Sequence, residues 1–192
     1  MGTNRRLGSK GRLSQNDRVK TVAYKINRLN EEGFQQWLRN KAQFGCAETP
    51  LGRVSLCCDE TSVSRLSFTE ESFQDLSQSI RRNDQLVQQH AESIFQSVFT
   101  GSITLIATDF QLVVWQALMR IPFGEVISYQ GLAESIGRPM AFRAVATAIA
   151  HNRCGFLIPC HRVIKKNGES GEFRWGAEMK RRLLDWEAQT KR

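Results

Sequence analysis

The chain has no run of about 18 apolar residues, so no membrane-spanning helix is expected. No secretory leader is recognisable at its start. Its five cysteines are odd in number, which argues against a framework of paired disulfides. These absences point to a reducing intracellular setting: cytoplasm or nucleoid in a bacterium, nucleus in a eukaryote. A glycine-rich nucleotide loop is also missing, because the isolated glycines lack phosphate-cradling spacing. Cys46, Cys57, Cys58, His90, His151 and Cys154 do not fall at zinc-ligand spacing, so structural cysteines and no metal are expected.

What is present is a Cys-His pair held behind a proline. Pro159, Cys160, His161, Arg162 and Val163 follow an apolar run, Gly155 to Ile158. Pro159 fixes its own φ and biases Ile158 toward an extended conformation, so the chain is expected to leave a buried strand and present Cys160 at a defined angle. Taken alone, Cys160 is either an aimed nucleophile or an inert buried cysteine. The neighbouring His161 does not decide the matter, because adjacent side chains need a turn or a bridging water to communicate.

The flanking residues add context. Ser128–Gly137 and Arg138–Asn152 read as two helices joined at a tight glycine turn. Leu132, Ala133 and Ile136 share one face, and Val145, Ala148 and Ile149 share another. Gly137 closes the first helix and Pro139 suits the start of the second, which outlines a helix-turn-helix. Downstream come Phe173, Arg174, Trp175 and Gly176, then a helix ending at Glu187.

From about Asp109 onward the chain resembles the O6-alkylguanine-DNA alkyltransferases, a family of DNA repair methyltransferases. The matching blocks, in order, are FQLVVWQAL, IPFGEVISYQGLA, FRAVATAIAHN, IPCHRV, and FRWG followed by LLDWE. The FRWG form is most similar to the methyltransferase half of bacterial adaptive-response proteins. The resemblance implies direct-reversal repair: the alkyl group of O6-alkylguanine, and of O4-methylthymine, passes irreversibly to Cys160 in a single turnover. His161 and Glu187 would polarise Cys160 through a bound water, as the base and orienting acid of a triad do. Asn152 would tie the recognition helix to the active-site loop; read alone, it is a helix cap.

The same resemblance gives Tyr129 a hydrogen bond to N3 of the guanine. The main-chain carbonyls of Cys160 and Val163 would accept from the exocyclic amine, and the main-chain N–H of Arg174 would reach O6. Arg143 would slide into the base stack as the target nucleotide rotates out, a step the chemistry requires. Ser128 and Arg138 join the DNA contacts. Without the resemblance, Glu187 reads as a solvated carboxylate, Tyr129 as a half-buried aromatic and Arg143 as a surface charge. No cofactor is implied, because the lesion itself is the methyl donor. The implied partner is double-stranded DNA containing O6-alkylguanine, bound by a monomer, with cooperative binding left open and no membrane. Two other classes compete: a non-catalytic lesion sensor, and a hydrolytic or disulfide-exchange enzyme using Cys154 as a second thiol.

The implied fold is α+β, with a small N-terminal sheet-and-helix domain followed by a mainly helical catalytic domain containing the helix-turn-helix. Boundaries are expected at 1–44 for a basic extension, 45–107 for the α/β domain and 108–192 for the catalytic domain. The net charge of +8 is concentrated in the extension, where 10 Lys and Arg face 3 Asp and Glu, against 17 and 16 in the remainder. The extension either adds salt-sensitive phosphate affinity or serves only solubility. Residues 1–16 read as disordered, and Glu31–Phe44 as a short amphipathic helix.

PLGRVSLCCDE and SVSRLSF read as hairpin strands, and Ile103–Ala107 as a further strand. Phe73–Phe99 reads as one or two helices with Leu76, Ile80, Leu86, Val87, Ile94, Phe95 and Val98 toward the core. Three positions depart from the family pattern. Glu172 and Phe173 lie in the loop over the substrate, where Glu172 is either repelled by phosphate or paired with a local arginine. Phe142, beside Arg143, either packs inward or widens the minor groove.

Overall fold

The computed structural model describes residues 24–70 and 80–190. The expectations for residues 1–16 and Leu76 lie outside these. The first half forms a sheet from β1 (Lys25–Arg28), β2 (Gln43–Thr49), β3 (Gly52–Cys58), β4 (Ser62–Ser67), β5 (Arg81–Arg82) and β6 (Ser102–Leu105), in the order β1-β6-β4-β3-β2-β5. The expected hairpin is β3 and β4, antiparallel with Leu56 opposite Leu66. Helix α1 (Glu31–Asn40) is capped by Asn30 and covers a small cluster of Trp37, Leu38, Ala42, Cys57 and Ile80. Helix α2 (Asp84–Phe95) buries Val87, Ala91, Ile94 and Phe95 in the main core.

Three expectations change here. The composition shift at 44 is not the edge of the folded unit, because β1 pairs in parallel with β6 from Lys25 onward. Helix α1 stops at Asn40; Gln43 and Phe44 open β2, where the ladder with β3 satisfies their backbone groups. Val98 is 58% exposed rather than core, since the chain turns at Ser97, whose φ is +59°, just past the end of α2.

The second half is helical, with α3 (Asp109–Met119), α4 (Tyr129–Ser135), α5 (Phe142–Ala150) and α6 (Ala177–Thr190). A short parallel pair, β7 (Ile127–Ser128) with β8 (Val163–Ile164), ties the start of α4 to the segment after Cys160. Thr108 and Gln111 form a reciprocal capping box on α3. Trp115 of α3 donates its indole N–H to Ala148 O at 2.9 Å, fixing α3 against α5.

The helix-turn-helix is α4 and α5. Gly137, at φ +70°, ends α4: its N–H reaches Glu134 O and the N–H of Arg138 reaches Ala133 O, both at 2.9 Å. This is the paired C-terminal closure that a left-handed glycine permits. Pro139 opens a 3-10 turn, Pro139–Ala141, before α5 begins at Phe142, so the second helix is shorter than the pattern suggested. Helix α6 continues past Glu187 to Thr190.

The two halves interlock beside Cys160. Leu66 N donates to Arg153 O and Gly155 N to Leu66 O, both at 3.0 Å, while the Cys154 thiol reaches Ser64 O at 2.8 Å. Trp175 donates to Ser67 Oγ at 2.8 Å and meets Phe68 edge-on. Gly155 is required in this contact: a Cβ there would lie 2.8 Å from the Trp175 ring and 3.1 Å from Phe68.

Candidate active site

The approach to Cys160 is not the buried strand expected from its apolar composition. Leu157 N bonds to Gly155 O and Cys160 N to Ile158 O, each at 2.7 Å, so two consecutive three-residue turns replace a strand. The first centres on Phe156, whose φ of +66° is an uncommon conformation for a bulky residue. The second centres on Pro159 at φ −79° and ψ 62°, the geometry of an inverse γ-turn. A strand would have sent successive side chains to opposite faces. The turns instead deliver Cys160, His161 and Arg162 into a 3-10 turn whose three residues are all buried.

Cys160 is 5% exposed and opens onto a cleft of about 310 Å³ lined by Tyr129, Ala146, Ile149, Ala150, Asn152, Cys160, Glu172, Phe173 and Arg174. Asn152, just past the end of α5, donates its amide to Cys160 Sγ at 3.1 Å and to Ile158 O at 2.9 Å, while its carbonyl accepts from Cys154 N. Its side chain bonds the turn, while the cap position of α5 falls on His151. Burial pushes the Cys160 thiol up to about 11, against the opposing effects of the Asn152 hydrogen bond and Lys180. The resting group is a neutral thiol that needs a base.

The next residue in the chain, His161, belongs to a buried imidazole–carboxylate pair. His161 Nε2 and Glu187 Oε1 are 2.7 Å apart, and both side chains are fully buried. Arg162 places Nη2 2.8 Å from Glu187 Oε1 and Nε 3.0 Å from Oε2, and Gly124 N donates to Oε2 at 2.9 Å. Burial alone would raise the Glu187 carboxyl, but the His161 hydrogen bond and the Arg162 guanidinium outweigh it and hold it at about 2. Ionised Glu187 can only accept, so His161 Nε2 carries the proton. Burial, more than Glu187 can offset, favours the neutral ring. Nδ1 is then the basic nitrogen, and it is buried with no hydrogen-bond partner among the described residues. Phe156 stacks on the imidazole at 3° between planes, which gives its unusual φ a positional reason.

The other expected residues divide between cleft and surface. Tyr129 begins α4 and faces the cleft, and burial raises its hydroxyl pKa. Ser128 caps α4 by accepting from Gly131 N at 2.9 Å. Arg174 lines the cleft with its guanidinium held on Ala150 O at 2.9 Å. The carbonyls assigned to guanine recognition already have partners. Cys160 O accepts from Val163 N, and Val163 O accepts from Lys180 Nζ at 2.6 Å, leaving one lone pair on each.

Arg143 is exposed in the first turn of α5, and Arg138 lies over the Phe110 ring, so neither is in the cleft. Glu172 lines the cleft, and no ion pair holds it among the described residues. Phe142 does not pack inward; it is 40% exposed.

Lys180 was missed. It is fully buried, and its ammonium bridges Val163 O and Ser170 O, binding the strand after Cys160 to the loop that closes the cleft. Burial lowers it to about 8. Its place between Met179 and Arg181 in a strongly basic stretch concealed it; the only signal was that its helical neighbours Leu183 and Glu187 share its face.

A buried thiol opening on a cleft walled by the two helices of a helix-turn-helix, with the imidazole of a buried imidazole–carboxylate pair next to it in the chain, is the layout of a thiol site on a helix-turn-helix scaffold. Residues 109–189 match the sequence model of the 6-O-methylguanine DNA methyltransferase, DNA binding domain. The chain is 37% identical over 142 residues to a probable methylated-DNA–protein-cysteine methyltransferase of Acanthamoeba polyphaga mimivirus, covering 73% of this chain and 93% of that one. It is 44% identical over 112 residues to the bifunctional transcriptional activator/DNA repair enzyme Ada of Escherichia coli, covering 55% of this chain but only 32%, about a third, of that relative's length. The crystal structure of Mycobacterium tuberculosis OGT in complex with DNA superposes with a TM-score of 0.66 at 31% identity, over 77% of this chain and 93% of that one. The chain belongs to the methylated-DNA–protein-cysteine methyltransferase family.

Proposed function

We propose that the protein repairs O6-alkylguanine in double-stranded DNA by transferring the alkyl group to Cys160, once per molecule. The observation that carries this is the buried Glu187–His161 pair with an unpartnered Nδ1, adjoining in sequence a Cys160 that lines the cleft. His161 Nδ1 takes the thiol proton through one water. The sulfur then attacks the alkyl carbon, an S–C bond forms as the O6–C bond breaks, and the electron pair passes into the purine. Tyr129, at the cleft wall, donates to N3 and offsets that charge, and the proton held by His161 returns through water to leave neutral guanine and a neutral imidazole. The thioether is stable, and no residue on the cleft wall regenerates the thiol. Asn152 holds Cys160 in line with the cleft. Arg143, outside it, supplies the cation that replaces the extruded nucleotide in the stack. O4-methylthymine presents the same alkyl–oxygen bond and is a second substrate, and the protein acts as a monomer inside the cell.

Peptide mass spectrometry after mixing with a duplex carrying one O6-methylguanine tests this. A one-methyl gain on the Cys160 peptide, saturating at one equivalent, is expected. Binding without mass gain would make the protein a lesion sensor instead.

A further inference from the structure

Two apolar side chains stand exposed at the turn of the helix-turn-helix. Met140 in the 3-10 turn is 88% exposed, and Phe142, the first residue of α5, is 40% exposed. Hydrophobic surface of this size left in water is recovered when a partner covers it. Its surroundings indicate the partner. From Arg138 to Ala150 the chain has two arginines and no carboxylate. The Arg143 guanidinium lies 5.7 Å from the centroid of the Phe142 ring, close enough for a cation–π contact. An apolar centre between cations fits the stacked bases of a duplex between its phosphates.

Helix geometry links this patch to the chemistry. Phe142, Ala146, Ile149 and Ala150 follow the i, i+4, i+7, i+8 spacing of a single helix stripe, and the last three line the cleft that holds Cys160. Phe142 is the outer end of that stripe, about 12 Å along the axis from Ala150. A base travelling from the duplex to Cys160 would leave the stack beside Phe142 and pass along Ala146, Ile149 and Ala150 below it.

We infer that Phe142, with Met140 beside it, is an apolar wedge that enters and unstacks the base step next to the lesion, while Arg143, held against its ring, takes the place of the extruded nucleotide. The inference rests on the proposed repair function for the identity of the extruded base. Apolar wedges of this type unstack and kink duplexes entered from the minor groove.

The test uses full-length protein and a duplex carrying O6-methylguanine with 2-aminopurine as its neighbour, whose fluorescence rises on unstacking. Phe142→Ala should lose most of that rise and slow methyl transfer from the duplex about ten-fold, while transfer from free O6-methylguanine base stays within about two-fold. Phe142→Leu, which keeps an apolar wedge, should retain most of the duplex rate, and Met140→Ala should give a smaller loss of the same kind. An unchanged fluorescence rise and duplex rate in Phe142→Ala, as for a patch that binds another protein, would overturn the wedge. So would equal slowing on duplex and free base. Were the wild type to transfer no methyl to either substrate, the repair function would fail, and the fluorescence arm would still decide the wedge: a rise lost in Phe142→Ala supports it, and no rise in the wild type removes it.

Discussion

Replacing Glu187 by Gln preserves the shape of the side chain and removes its charge. In the wild type the carboxylate meets His161, Arg162 and Gly124 N at zero solvent exposure. The amide would leave Arg162 without a counter-charge and turn one of its own N–H groups toward a donor. Two routes give the size of the effect. A carboxyl held at about 2 instead of about 4.3 contributes about 3 kcal/mol at neutral pH, at about 1.4 kcal/mol per unit. Removing one partner of a buried pair costs about 3–5 kcal/mol.

Glu187→Gln should therefore lower the unfolding free energy by about 3 kcal/mol at pH 7, or about 1.5 M in the urea midpoint for a slope of about 2 kcal/mol/M. The folded value is depressed, so the contribution is complete above the unfolded value and is lost as pH falls through about 2. At pH 3 about half of it survives, and the gap between wild type and variant should narrow to about 1.5 kcal/mol. Urea titrations at the two pH values measure both numbers. A gap under about 1 kcal/mol at pH 7, or one that does not narrow in acid, would refute the buried ion-pair account.

Three further outcomes are expected. Alkylation of Cys160 by iodoacetamide without DNA should accelerate with pH well past the free-thiol value of about 8.5, because burial raises the thiol; a midpoint below that value would contradict it. Arg143→Ala should slow repair of duplex more than attack on the free base, by about ten-fold in relative rate, because only the duplex needs extrusion; equal losses in single-turnover assays would remove its stacking role. Deleting residues 1–22, which carry Arg5, Arg6, Lys10, Arg12, Arg18 and Lys20 against Asp17, should leave the transfer rate intact and reduce the salt dependence of DNA binding. An unchanged salt slope would leave the tail a solubility element. The cut stops short of Lys25 because β1 belongs to the sheet.

Much of the helical half was legible because its signals are local. Gly137 needs no distant partner to end α4, and the 3.6-residue spacing of Val145, Ala148 and Ile149 marks the buried face of α5 directly. The Cys-His pair drew attention for the same reason. What sequence could not supply depends on distant residues. The strand β1 is visible only through its pairing with β6, and the double turn before Cys160 imitates a strand in composition while Phe156 takes a positive φ to stack on His161. Lys180 is hidden for the same reason, since the carbonyls it bridges come from two other segments of the chain. The roles proposed for Glu187 and Tyr129 rest on family resemblance; by pattern alone both are ordinary helix residues.

The bridge between Leu66 and residues 153–155 makes the sheet a splint for the chemistry. The two tight turns that aim Cys160 start from Gly155, whose amide is anchored on β4, and the loop over the cleft hangs from Ser67 through Trp175. A core defect around Leu66, Phe68 or Val63, outside the cleft, would therefore loosen the aim of Cys160 before it unfolded the protein. Sequence variation in the sheet half should consequently register first as slow repair, with the fold still standing.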